Sequence, residues 1–192
     1  MIYPNILALG DSLTAGYGLP AHQSFAAQLQ ALLRARHPTA LVHNAGVSGD
    51  TSAGGLARLP RVLGRLEGRP DLAIVELGAN DLLRGIAPER LRANLDGILA
   101  ELSRCGIPAL LAGMLAPPFL GDFARRYNAV FPDLAAAYGV PLYPFFLDGV
   151  VGDPGLVLAD GIHPTAHAVG IVARRILPHV ERALVIGERR AA

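Results

Sequence analysis

The amino-acid sequence predicts an α/β fold, a five-stranded parallel sheet with helices on both faces. Five short apolar runs alternate with five amphipathic helical segments along the chain, and such a βα repeat closes into a parallel sheet with right-handed crossovers. Glycine or proline marks most boundaries between the two periodicities. A chain of 192 residues, 52% hydrophobic and 17% charged, is long and apolar enough for a single domain over residues 1–192 with a full core.

In chain order, Ile6 to Leu9 form the first strand, and Gly10 ends it so that Ser12 sits on a tight turn just beyond. Thr14 to Pro20 reads as a Gly-rich loop. Gln23 to Arg36 has apolar residues at helical spacing (Phe25, Leu29, Leu32, Leu33) until His37-Pro38 ends it. Leu41 to Ala45 is the second strand. The loop Ser48-Gly49-Asp50-Thr51-Ser52 opens a helix carrying Leu56, Leu59, Val62, Leu63 and Leu66, bent near Pro60. Asp71 to Leu77 is the third strand, stopped by Gly78-Ala79-Asn80-Asp81. Pro88 to Arg104 is a helix with Pro in its first turn and Gly106 after its end. Pro108 to Gly113, a helix from Asp122 to Tyr138, and a short strand Val140 to Tyr143 follow. A loop, Val157 to His163, leads to a last helix from Pro164 through Leu184, kinked at Pro178, and a polar, frayed tail from Gly187 to Ala192.

Composition excludes several functions. A net charge of +1 without basic clusters gives no nucleic-acid footprint. All 17 basic residues are arginine, which removes Schiff-base lysine chemistry and any P-loop. The single Cys105 forms no internal disulfide and reads as a small buried hydrophobe. No apolar run approaches the roughly 20 residues of a membrane span, so no membrane insertion is expected. Met1 to Asn5 carry no basic leader region. As it stands the chain reads as cytoplasmic, and as periplasmic or secreted if a leader was removed. No residue pattern specifies an oligomeric state.

The loops after strands one, two and three leave the same edge of a parallel sheet, where open α/β sheets place their sites. Ser12, Gly49, Asn80 and the Asp160/His163 pair all fall on these loops or on the one before the last helix. Acyl transfer needs a nucleophilic hydroxyl, a base, a group that orients the base, and donors aimed at an oxyanion. Asp160 and His163 are close enough in sequence for the carboxylate to reach an imidazole nitrogen. Gly49 leaves its backbone N–H uncovered, and Asn80 brings an amide donor.

Gly10-Asp11-Ser12-Leu13, Ser48-Gly49-Asp50-Thr51, Gly78-Ala79-Asn80-Asp81 and Asp160-Gly161-Ile162-His163-Pro164 resemble the ordered blocks of the SGNH (GDSL) hydrolases. The resemblance covers nearly the whole chain. Within that family it is nearest to the bacterial arylesterases related to multifunctional thioesterase/lysophospholipase proteins. It implies a flavodoxin-like three-layer α/β/α sandwich and a serine hydrolase acting on small-molecule esters or thioesters, with no metal or cofactor. It further implies Ser12 as nucleophile, His163 as base and Asp160 as its orienter, with the N–H groups of Ser12 and Gly49 and the Asn80 side chain as oxyanion hole. A lysophospholipase or acyl-CoA thioesterase is the alternative main activity.

Other readings of the same residues stand beside this one. Asn80 could cap a helix after Asp81, and Asp11 and Asp50 read as turn or cap carboxylates. His163 and His167 have the spacing of a helical zinc pair, but Pro164 puts His163 at or before the helix start and no HExxH glutamate follows. Glu76 and Asp81 could form an acid/base pair of the glycosidase type, which would leave the Ser/His/Asn set unused. A flavodoxin-like binder of a nucleotide or flavin would have no use for that set. Met114 to Gly121 is more apolar than the resemblance implies, and Met114, Leu115, Phe119 and Leu120 are expected to wall the acyl site.

Overall fold

The computed structural model describes residues 4–191. Met1 to Tyr3 and Ala192, which belong to the expectations for the two chain ends, lie outside the described residues. Five parallel strands run β1 (Asn5–Gly10), β2 (Leu41–Gly46), β3 (Leu72–Glu76), β4 (Ala109–Ala112) and β5 (Leu142–Tyr143), in the spatial order β2-β1-β3-β4-β5. That is the flavodoxin-like order, whose switch point lies between β1 and β3. The helices are α1 (Ser12–Ala15), α2 (Phe25–Leu33), α3 (Ser52–Leu63), α4 (Ala79–Leu83), α5 (Pro88–Arg104), α6 (Gly121–Tyr138) and α7 (Ala166–Ala191). Right-handed crossovers send α2 to one face and α3, α5 and α6 to the other, and the packing of α2 on α7 and of α5 on both α3 and α6 completes the two outer layers. Strands β1, β3 and β4 are buried almost throughout, as a parallel sheet covered on both faces requires.

The departures from the sequence expectations have local causes. Thr14 and Ala15 are helical, because Asp11 caps α1 by accepting from the Leu13 N–H and Gly16 closes it in the left-handed region at φ +82°. α2 starts at Phe25, since the Ser24 side chain accepts from the Ala27 N–H. α3 ends at Leu63, before Leu66. α4 was not expected, and Asn80 lies inside it and not before a helix. α7 starts at Ala166, after Thr165 accepts from the Ala168 N–H, while Pro164 bridges Val157. At its other end α7 continues to Ala191, and Gly187 of the expected frayed tail is buried, where a Cβ would lie 2.9 Å from Pro108 Cγ.

What positions the site is the row of residues at the carboxyl ends of the strands. The register aligns Gly46, Gly10, Glu76, Ala112 and Tyr143 side by side. Two of them are glycines for steric reasons. A Cβ on Gly46 would lie 2.2 Å from the Ala15 nitrogen, and one on Gly10 would lie 2.1 Å from Thr14 Oγ1. Helix α1 therefore sits directly on the end of the sheet. Because the obstacle at Gly46 is backbone, Gly46→Ala is expected to destabilise the protein by roughly 1–3 kcal/mol, the range of overpacked cores, read as a fall in the urea midpoint at unchanged m-value.

Candidate active site

Ser12 is the first residue of α1, so its N–H is one of the donors a helix start leaves without an intrahelical acceptor. Its hydroxyl lies 3.0 Å from His163 Nε2, and His163 Nδ1 lies 2.6 Å from Asp160 Oδ2. Both imidazole nitrogens are thus engaged, and no metal could take either without displacing a partner. The other Asp160 oxygen accepts from the backbone N–H groups of Ile162 and His163 at 2.9 and 3.0 Å. Those backbone bonds and then the imidazole hold the Asp160 carboxyl down at about 2, so it is ionised at any neutral pH. A hydroxyl, an imidazole and an ionised carboxylate in this chain of hydrogen bonds can move a proton from the first to the second while the third stabilises the imidazolium.

Asn80 approaches from across the switch point, in α4 just beyond β3. Gly78 leads into this helix at φ +128°, where a Cβ would lie 2.8 Å from the Tyr127 hydroxyl. The Asn80 Nδ2 donates to Asp11 Oδ2 at 3.0 Å. That fixes the amide and leaves its second proton free to point elsewhere. The Gly49 turn, at φ +81°, is tied to the same helix twice. Arg84 Nη2 donates to the Gly49 carbonyl at 2.7 Å, and Asp81 accepts from the Ser52 N–H at 2.8 Å and from the Ser52 hydroxyl. Asn94 Nδ2 donates in turn to Ser52 Oγ at 2.9 Å. Arg58 locks the remaining corner: its guanidinium pairs with Asp50 at 2.6 Å and donates to the Ala45 and Gly10 carbonyls.

Of these ties, sequence reasoning missed Arg58, Arg84 and Asn94, which carry no signal beyond being polar residues in or near predicted helices, whereas it named Asp50 as a turn or cap carboxylate and placed Glu76 and Asp81 near the site. Asp81 and Glu76 do not form an acid/base pair, because Asp81 is spent on Ser52 and Glu76 faces Thr14 and Asp11.

Beneath Ser12 lie two buried carboxylates. Glu76 Oε2 accepts from Thr14 Oγ1 at 2.7 Å and from the Asp11 N–H at 3.3 Å, while Glu76 Oε1 has no partner among the described residues. Burial, followed by the nearby Asp11 charge, pushes Glu76 well above the usual carboxylate range. Asp11 is pushed up to about 6, chiefly by burial, against the lowering effect of its bonds from Leu13 and Asn80. A fully buried carboxylate oxygen with no donor is costly as an anion, so Glu76 keeps the proton.

The cleft above Ser12 has a volume of about 430 Å³. Met114 and Leu115 line it, as expected, and Phe119 and Leu120 do not. They belong to a 3₁₀ turn that carries them to the surface, where Phe119 is 85% exposed. The apolar wall is instead completed by Leu82, Leu83, Phe145, Leu147, Val151 and Ile162. No residue lining the cleft is an aspartate, glutamate or arginine.

The profile of the GDSL-like lipase/acylhydrolase family matches residues 8–169. The esterase TesA of Pseudomonas aeruginosa is 41% identical over 174 residues, spanning 90% of this chain and 86% of its own length. An arylesterase of Vibrio mimicus is 36% identical over 183 residues, 91% of this chain and 89% of its own. Among solved structures, AlinE4, described as an SGNH-hydrolase family esterase, superposes with a TM-score of 0.79 at 49% identity over 94% of this chain and 96% of its own.

The proton on Glu76 has a thermodynamic consequence. Above about pH 4.5 the unfolded chain releases this proton and the native protein retains it, so the native state binds more protons and its stability falls as pH rises. Glu76→Gln keeps an acceptor for Thr14 and cannot ionise. The variant is expected to gain stability relative to the parent between pH 5 and pH 8, measured by urea unfolding at both values.

Proposed function

Because the chain belongs to the GDSL-like lipase/acylhydrolase family, we propose that it hydrolyses carboxylic esters through an acyl-enzyme formed on Ser12. The observation that carries this reading is the hydrogen-bonded line Ser12–His163–Asp160 opening into an apolar cleft. In the first half-reaction His163 Nε2 takes the Ser12 proton as Oγ attacks the ester carbonyl. Asp160 holds the tautomer that leaves Nε2 free and stabilises the imidazolium. The carbonyl oxygen gains negative charge and is received by the Ser12 and Gly49 N–H groups and by the Asn80 amide. His163 then gives its proton to the departing alcohol. In the second half-reaction a water molecule gives up a proton to His163 and attacks the acyl-enzyme, and His163 then returns that proton to Ser12 Oγ as the acyl–oxygen bond breaks and the acid leaves.

Substrate range follows from the cleft. Each buried CH₂ contributes about 0.8 kcal/mol, and only until the acyl chain passes the end of the wall. A wall without a cation suits uncharged aryl and alkyl esters of short to medium acyl length, and thioesters of the same shape. Among the described residues no helix is long and apolar enough to cross a membrane.

Ser12→Ala is expected to abolish both esterase turnover and labelling by a fluorophosphonate while the far-ultraviolet circular dichroism stays unchanged. Stoichiometric labelling of that variant would move the nucleophile elsewhere. His163→Ala should remove nearly all turnover, and Asn80→Ala should lower kcat on the order of 10²- to 10³-fold with a smaller change in KM. In a series of p-nitrophenyl esters, kcat/KM should rise through short and medium acyl lengths and then level off. Phe119→Asn should leave that order unchanged, since Phe119 lies outside the cleft. A steady rise to palmitoyl esters, or a lysophospholipid as the best substrate, would refute the proposed range.

A further inference from the structure

Tyr17 is a side chain at this site that neither the hydrogen-bonded line nor the oxyanion donors use. Its ring lies over the imidazole of His163, with centroids 4.3 Å apart and planes tilted by 32°. Core burial does not account for that placement, because Tyr17 is 50% exposed. The backbone is built to deliver it. Gly16 and Gly18, on either side, take φ +82° and +73°, conformations that glycine adopts without strain. The N–H groups of Gly16 and Tyr17 both donate to the Ser12 carbonyl, at 3.0 and 3.1 Å. The turn that carries Tyr17 thus starts from the same residue as the nucleophile. Its far side touches the loop of the base, where a Cβ on Gly18 would lie 2.8 Å from Leu158 Cδ1.

We infer that Tyr17 is a positioning residue for the reaction proposed above: its ring holds the His163 imidazole between Ser12 and Asp160 and stabilises the positive charge that the imidazole gains from the Ser12 proton. The inference rests on the reading of Ser12 as nucleophile and His163 as base. The two hydrogen bonds of His163 run from its ring nitrogens and fix the ring within its own plane. The tilt of that plane is set by what lies on its face, and here Tyr17 does. An aromatic face within about 6 Å attracts a cation through its quadrupole and interacts far less with the neutral ring. The contact therefore strengthens when His163 takes the proton and relaxes when the proton passes to the leaving alcohol, which is the differential stabilisation that speeds a step. The His163 side chain is 18% exposed, so water screens the contact only from the open side of Tyr17.

The test compares Tyr17→Leu, which keeps an apolar cover without a π face, with Tyr17→Phe, which keeps the face and loses the hydroxyl. Acetyl esters serve as substrate, so that lost acyl contacts do not enter. Tyr17→Leu is expected to lower kcat roughly 2- to 30-fold, the range of a cation–π contact between an exposed and a desolvated site, with KM changed by less. The acid limb of its kcat/KM profile should move to lower pH by about 0.4–1.5 units, because the protonated base has lost a stabilising neighbour. The carboxylates facing the imidazole, Asp160 on its own loop and Asp11 on the turn after β1, are the same in every variant and cannot produce that displacement. Tyr17→Phe should retain both parental kcat and parental pH profile. Parental kinetics in Tyr17→Leu, or equal impairment of Tyr17→Phe and Tyr17→Leu, would overturn the inference. Activity surviving in Ser12→Ala would instead overturn the reading beneath it, so the two failures are distinguishable.

Discussion

The close seat of helix α1 on the end of the sheet is the constraint on which the remaining geometry depends. One turn of helix has too few hydrogen bonds to hold itself. It is held from below by Thr14 on Glu76, at its start by the Asp11 cap, and at its end by Gly16. Two side chains are missing beneath it, at Gly10 and Gly46, because nothing larger than hydrogen fits between the helix and the strand ends. With α1 so fixed, the direction of the Ser12 hydroxyl no longer depends on a mobile loop. Asp11 belongs to both halves of the arrangement: it caps the helix of Ser12 and holds the amide of Asn80 across the switch point. One carboxylate thereby links the turn of Ser12 to the side chain of Asn80, which follow different strands.

That design concentrates acid groups where the proposed reaction would place negative charge. Asp11, Glu76 and Asp81 are all fully buried within the loops and strand ends that build the site. Three uncompensated anions there would oppose an oxyanion at the energies typical of a low-dielectric interior. Each is dealt with differently. Asp81 is covered by the Ser52 N–H and hydroxyl, Asp11 by the Leu13 N–H and the Asn80 amide, and Glu76 by retaining a proton. The negative groups serve as acceptors that aim donors.

Much of this was legible in the sequence because hydrophobic period and glycine placement are local signals. The Pro88–Arg104 helix was read with the bounds it has, since Pro at its start and Gly106 after its end bracket an unbroken apolar stripe. The loops bearing Ser12, Gly49, Asn80 and His163 were placed at one edge because every strand in a βα repeat points the same way. α4 escaped notice because five residues are too few to show a helical period. The acyl wall was half misread for a different reason: Met114 and Leu115 follow β4 directly, whereas Pro117 and Pro118 start a turn that lifts Phe119 and Leu120 away. Hydrophobicity identified apolar residues there but not their direction. Arg58 and Arg84 act through backbone carbonyls distant in sequence, and such pairings leave no trace in spacing.

The order of the strands also separates the parts of the site along the chain. Ser12 precedes His163 in the chain, and β2, β3, β4 and β5 lie between them. No local segment contains both Ser12 and His163, so the hydrogen bond between them depends on the tertiary fold. The packing of α7 on α2 holds the loop before α7 over the turn of Ser12, where His163 Nε2 meets the hydroxyl. Under the proposed roles, Ser12 gains its base only in the folded protein, and an opening that carries the His163 loop away from Ser12 removes that base.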